Sequence, residues 1–234
     1  MWSMWVKLPV WWIVSSTKVD PLLNEPIRGL RLFSQQVKGN SIAALKVYIS
    51  LLLQTDNNSS SETYGKVGMS IADIEGSTGL SREKIVAGVR LLEFHSLISV
   101  DRGAGRKNIF SICGYDRVPW VKIPKTEFAD GFGGGSPLRQ ISTRGKVSLN
   151  ALKLYLFLTA SVDKSTLTAC RTYQNIENNT GIRRNDIRPA ISLLINLNLV
   201  KVSNEKIEGD YVYNSPNIYH IVGLKYLTNS TDDE

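Results

Sequence analysis

Two stretches carry side chains suited to recognition chemistry. In SREKIVAGVRLL, Ser81, Arg82, Lys84 and Arg90 stand among apolar residues three or four apart, and in RRNDIRPAISLL the corresponding set is Arg183, Arg184, Asn185 and Arg188. A guanidinium is a planar fork that matches guanine O6 and N7, and an asparagine amide can pair with both adenine N6 and N7. Such readout needs the polar groups on one exposed face near the start of a helix, with a protein core behind it. The apolar residues supply that core face: Ile85, Val89 and Leu92 in the first stretch, Ile187, Ile191 and Leu194 in the second. Arg82, Glu83 and Lys84, with Arg90 a turn later, are then expected to face outward. Pro189 is a departure. If Arg183 caps the second helix, the proline lies beyond the first turn and costs a hydrogen bond, which a later start near Asn185 would relieve.

A second cationic group follows the first stretch. Ile98 and Val100 alternate toward a turn at Gly103-Ala104-Gly105, and Ile109 to Ile112 return, so a β-hairpin is expected with Arg102, Arg106 and Lys107 around its tip. Those three suit phosphate or minor-groove contact. Its GAGRK run lacks P-loop spacing and joins strand to strand, which argues against a nucleotide cradle. The corresponding segment of the second half, NEKIEGDYVYNSP, is seven residues longer and sets Glu205, Glu208 and Asp210 against Lys206. It should avoid phosphate and contact protein or point into solvent. His95 and His220 are isolated, and neither a metal-ligand cluster nor a nucleophile motif is visible. No enzyme activity, cofactor or metal is therefore expected.

The elements that hold these groups follow from an internal repeat. WVKLP at Trp5–Pro9 returns as WVKIP at Trp120–Pro124, SIAALKVYISLLL at Ser41–Leu53 as SLNALKLYLFLTA at Ser148–Ala160, and NIFSI at Asn108–Ile112 as NIYHI at Asn217–Ile221. The two arginine-bearing stretches match at an offset of 102 residues, as IEGSTGLSREKIVAGVRLL and IENNTGIRRNDIRPAISLL. Blocks that recur in order indicate a duplicated unit, with length changes confined to its loops. In each unit Ile42, Leu45, Tyr48 or Ile49, and Leu52 (or their equivalents) predict an amphipathic helix. The polar run TDNNSSSETYGKVG ends the first of these. A short helix capped by Ser70 comes next, then a tight turn at Thr78-Gly79-Leu80 and a helix that Ser81 can cap.

Helix, helix, glycine turn, helix and hairpin is the order of the winged helix-turn-helix. GLSREKIVAGVRLLEFHSLISV resembles the recognition helix and first wing strand of prokaryotic winged-helix proteins, and GIRRNDIRPAISLLINLNLVKV resembles them again. The expected fold is mainly α with small β-hairpins (α+β): two tandem winged helix-turn-helix domains at residues 1–118 and 119–228, each with its own core, and an acidic polar tail at 229–234. Tandem arrangements of this kind are found in transcriptional regulators and in replication initiators of plasmids and phages. The resemblance implies a sequence-specific double-stranded DNA-binding protein, a regulator first, with the initiator and a protein-binding scaffold as alternatives. Two recognition helices in one chain would contact successive major grooves ~10 base pairs apart.

Composition agrees with that class. The 234 residues are 42% hydrophobic and 21% charged, with a net charge of +7. Residues 1–118 hold 14 basic and 10 acidic side chains and residues 119–234 hold 14 and 11, so both halves are drawn to polyanions. The apolar start MWSMWVKLPVWWIV is broken by Lys7 and Pro9 and falls short of the ~20 residues that span a bilayer, and its motif recurs mid-chain. It reads as a strand, extended before each proline, rather than a signal or anchor. Trp2, Trp5, Trp11 and Trp12 crowd it, which suits core and edge packing or a homodimer interface. Cys113 and Cys170 lack CxxC spacing and are expected to be free buried thiols in a cytoplasmic, nucleoid-associated protein. Gly131 and Gly133–Gly135 suggest a flexible connection or an anion nest. Arg139, Arg144 and Lys146, like Arg28, Arg31 and Lys38, could add backbone contacts to DNA.

Overall fold

The computed structural model describes residues 4–14, 19–20, 25–26, 29–34, 38–103, 107–128, 136–203 and 216–227. The glycines at 131–135, Arg28, Arg106, Trp2, the acidic segment of the second hairpin and the acidic tail lie outside the described residues.

The protein is mixed α+β, with seven α-helices and small antiparallel sheets among the described residues. The first copy runs β1 (Trp5–Pro9), β2 (Val19–Asp20), β3 (Glu25–Pro26), a 3-10 turn at Gly29–Leu32, α1 (Lys38–Gln54), β4 (Lys66–Met69), α2 (Ile71–Thr78), α3 (Arg82–Phe94), β5 (Ile98–Asp101) and β6 (Asn108–Ile112). The second runs β7 (Trp120–Pro124), a 3-10 turn at Thr126–Phe128, α4 (Pro137–Gln140), α5 (Lys146–Ala160), β8 (Thr168–Arg171), α6 (Tyr173–Thr180), α7 (Arg184–Asn196), β9 (Val200–Ser203) and β10 (Asn217–Ile221). From the long helix onward the two lists agree element for element. Sheet orders agree too, β4-β6-β5 against β8-β10-β9.

The opening strands of the two copies pair with each other. β1 runs antiparallel to β7, with Trp5 opposite Pro124, Lys7 opposite Lys122 and Pro9 opposite Trp120. Equivalent lysines therefore face one another, and the copies are related there by an approximate two-fold axis. Val6, Leu8 and Ile123 are buried beneath the ribbon. On its other face the Trp5 and Trp120 rings stack with centroids 5.9 Å apart, Lys7 Nζ lies 4.8 Å from the Trp120 ring and Lys122 Nζ 4.7 Å from Trp5. Trp12 is buried and donates to the Tyr48 hydroxyl at 2.9 Å, and Trp11 donates to the Cys113 carbonyl at 3.2 Å. These four described tryptophans are thus engaged within the chain.

The core is one continuous cluster that spans both copies, where the sequence suggests two separate cores. At its centre α1 packs on α5, with α3 on the flank of α1 and α7 on the flank of α5. This corrects the amphipathic expectation for the long helices, because Ser41 to Leu52 and Ser148 to Thr159 are buried on every side. A helix flanked by two others has no solvent face to advertise.

Four strands go unread in the sequence: the two-residue β2 and β3, and the longer β4 and β8. The run expected to be an irregular connection holds β4, whose Val67 and Met69 face inward while Lys66 and Gly68 face out, and β8 is its counterpart. A four-residue strand interrupted by glycine offers too short an alternation to detect. The thiols also differ from expectation: Cys113 is half-buried and Cys170 exposed.

Candidate nucleic-acid interface

The two arginine-bearing helices are held by the same local devices. Ser70 caps α2 by accepting from the Asp73 amide at 3.1 Å while Asp73 accepts from the Ser70 amide at 2.8 Å, and Thr172 accepts from the Asn175 amide to cap α6. Each short helix ends in a left-handed glycine, Gly79 (φ 68) and Gly181 (φ 69), whose amides bond the Glu75 and Glu177 carbonyls. Thr78 and Thr180, both buried, bond back to the Ile74 and Ile176 carbonyls at 2.6 and 2.7 Å and accept from the Leu80 and Ile182 amides. The Thr-Gly pair turns the chain and fixes the start of the next helix.

α3 and α7 then bury the expected faces: Ile85, Gly88, Val89 and Leu92 in one, Ile187, Ala190, Ile191 and Leu194 in the other. Ser81, Arg82, Arg90, Arg183, Arg184, Asn185 and Arg188 are all exposed. Ser81 and Arg82 lie at the N-terminus of α3 and Arg183, Arg184 and Asn185 at that of α7, where unpaired backbone amides favour anions, whereas Arg90 lies two turns further along α3. Ser81 occupies the N-cap of α3 without a side-chain hydrogen bond to the helix, and Arg183 occupies that of α7. The later start at Asn185 is not adopted. Pro189 therefore lies inside α7 and lacks the N–H that would bond the Asn185 carbonyl.

Five cations are placed differently from expectation, three of them near these helices and the first hairpin. Lys84 is half-buried, its ammonium lying over the start of α1, where a methyl group on Gly39 would stand 3.4 Å from Nζ. Arg102 pairs with Glu93 at 2.6 Å, and that carboxylate raises its pKa. Lys146, at the start of α5, binds Asp186 of α7 at 2.7 Å. With Glu177, Arg183, Arg184 and Asn185 these two line an open cleft of about 520 Å³ at the N-terminus of α7. Lys107 remains exposed beside the tip of the first hairpin. His95 caps the C-terminus of α3 against Phe33, and His220 Nε2 lies 2.9 Å from Ser203 Oγ.

Sequence reading missed a set of residues that crosses between the copies. Lys46 of α1 donates to the Ile141 carbonyl at 2.7 Å, and its equivalent Lys153 of α5 donates to the Phe33 carbonyl at 3.3 Å. Both ammonium groups are buried, and loss of hydration lowers the pKa of each to about 8, with Arg31 adding to the effect at Lys153. Arg31 and Arg139, expected on the DNA backbone, instead donate to carbonyls of the opposite copy. A signal for the lysines existed: one charged residue recurs at the same point of an otherwise apolar helix in SIAALKVY and SLNALKLY.

Among the described residues no three His, Cys, Asp or Glu side chains are grouped to hold a metal ion, and no helix is long and apolar enough to cross a membrane. No protein-family model matches the chain, and no curated protein matches it.

Proposed function

We propose that this chain is a sequence-specific double-stranded DNA-binding protein of tandem winged helix-turn-helix form that acts as a transcriptional regulator. In this reading α3 and α7 are the recognition helices, and the β5–β6 and β9–β10 hairpins are the wings. One observation carries it. In both copies a helix follows a left-handed glycine turn, buries one face against a central helix and leaves arginine exposed at its N-terminus.

The approximate two-fold axis through Lys7 and Lys122 orients the reading further. Two helices related by such an axis meet successive major grooves, ~10 base pairs apart, in opposed orientation. Ser81, Arg82, Glu83 and Lys84 differ from Arg183, Arg184, Asn185 and Asp186, so the half-sites differ in sequence. The target is an imperfect inverted repeat bound by a single chain, whose internal axis does what the axis between subunits does in a dimeric regulator.

Selection from a random duplex library tests this with the wild type, Arg82→Ala, Arg184→Ala and Lys107→Ala. Each helix variant should lose about 1–3 kcal/mol and relax base preference in one half-site, whereas Lys107→Ala should weaken all sequences alike and lower the salt slope by about 1. An unchanged preferred sequence in both helix variants would remove the recognition-helix assignment. Sites recovered as repeats beside an origin would make the protein an initiator, and the absence of salt-dependent affinity would leave a protein-binding scaffold.

A further inference from the structure

Each copy sends an arm onto the other's helix-turn-helix. The arm of the first copy is the 3-10 turn at Gly29–Leu32, which packs on α6, and the arm of the second is α4, which packs on α2. Arg31 donates Nε and Nη2 to the Asn178 carbonyl at 3.0 and 2.7 Å, and Nη2 reaches the Glu177 carbonyl at 3.5 Å. Arg139 donates Nη1 to the Gly76 carbonyl at 3.3 Å. Asn178 and Gly76 hold equivalent places in the last turn of the short helices, at the negative end of the helix dipole, whereas the Glu177 carbonyl already accepts from the Gly181 amide.

Both arginines also lie across the turns themselves. A methyl group on Gly181 would stand 3.3 Å from Arg31 Cγ, and one on Gly79 would stand 3.7 Å from Arg139 Cγ. The arms are anchored behind these contacts, because Lys153 binds the Phe33 carbonyl and Lys46 the Ile141 carbonyl. Arginine and lysine of each copy thus act on the partner copy in the same way: Arg31 and Lys46 reach acceptors 147 and 95 residues away in the second copy, and Arg139 and Lys153 reach acceptors 63 and 120 residues away in the first.

The geometry points to Arg31 and Arg139 as positioning residues that hold each turn from the opposite copy and so set the spacing and phase of the two DNA half-sites. This inference rests on the DNA-binding reading for its consequence, but the crossed contact itself does not. Each base pair inserted between half-sites rotates the second by about 35°. A clasped pair of readers cannot follow that rotation and loses the gain from simultaneous engagement, whereas a loosened pair follows it in part.

Two experiments on the full chain test it, and both arginines are exposed enough for their variants to fold. Without DNA, hydrogen exchange is compared in wild type, Arg31→Ala and Arg139→Ala. Arg31→Ala should speed exchange in α6 and the Gly181 turn and leave α2 unchanged, and Arg139→Ala should do the converse. Acceleration within the variant's own copy, or nowhere, would overturn the crossed assignment. With DNA, affinity is measured on selected sites whose spacer is lengthened by one or two base pairs. Wild type should lose about 100-fold, whereas the double variant should lose only about tenfold, and Arg31→Lys, which keeps the charge without the fork, should fall between. Equal spacing dependence in all variants would overturn the inference. Crossed exchange effects in a protein that binds no duplex would keep the clasp and reject the DNA reading.

Discussion

Lys46 and Lys153 show how a single side chain can work against local expectation. A buried ammonium is costly unless its hydrogen bonds are met, and each of these has a carbonyl of the other copy as acceptor. Their pKa values fall from 10.5 to about 8, so above pH 8 the unfolded chain holds protons that the folded chain has released. Stability then rises with pH. The rise ends near pH 10, because the buried phenols Tyr48 and Tyr155 keep raised pKa values in the fold while the unfolded chain ionises there. We expect the thermal midpoint to climb between pH 8 and about 10 in wild type and to stay nearly flat in Lys46→Met/Lys153→Met. Calorimetry across that range checks it, and equal slopes in the two proteins would show that these lysines do not titrate on unfolding.

Between elements, α3 and α7 meet their central helices through different residues at one equivalent place. A methyl group on Gly88 of α3 would stand 2.9 Å from the Ala43 carbonyl carbon and the Ala44 amide nitrogen, both backbone atoms of α1. The second copy carries Ala190 at the equivalent place, buried against α5. Alanine in a helix interior is normally favoured over glycine by about 1 kcal/mol. Overpacking against backbone that cannot rotate away costs about 1–3 kcal/mol and should win. Gly88→Ala is therefore expected to lower the denaturant midpoint, and an increase would mean that α3 can shift freely off α1. Pro189 offers the opposite case. It is exposed, and Pro189→Ala restores an N–H to the Asn185 carbonyl, so a gain of up to about 3 kcal/mol is expected in the same measurement.

As a whole, the molecule behaves as an internal dimer whose subunits share one chain. The β1–β7 ribbon, the α1–α5 contact and the crossed arms all bury surface between the copies. A cut near Val118 divides the repeat in sequence but leaves each half with a bare central helix and a lysine without its carbonyl. Residues 1–118 and 119–234, made separately, should lack cooperative melts and should recover near-ultraviolet dichroism on mixing in equal amounts. Sedimentation of the mixture should show one species of the intact chain's mass. A monomeric first half that melts cooperatively alone would show that it needs no partner copy.

The sequence by itself determined what depends on near neighbours. The repeated blocks, the helix periods, the Thr-Gly turns before Leu80 and Ile182, the first hairpin and the outward arginines of α3 and α7 all follow from spacing within a few residues. Such patterns report the local backbone and the side of an element that turns inward. Tertiary structure alone decided the destinations of Arg31 and Arg139, the acceptors of Lys46 and Lys153, and the burial of α1 and α5 on every side. It also paired Arg102 with Glu93 and Lys146 with Asp186. Most of these partners lie far apart in the chain and meet only once the two central helices have packed, and a charge beside its acceptor reads in sequence like a charge bound for solvent or for phosphate.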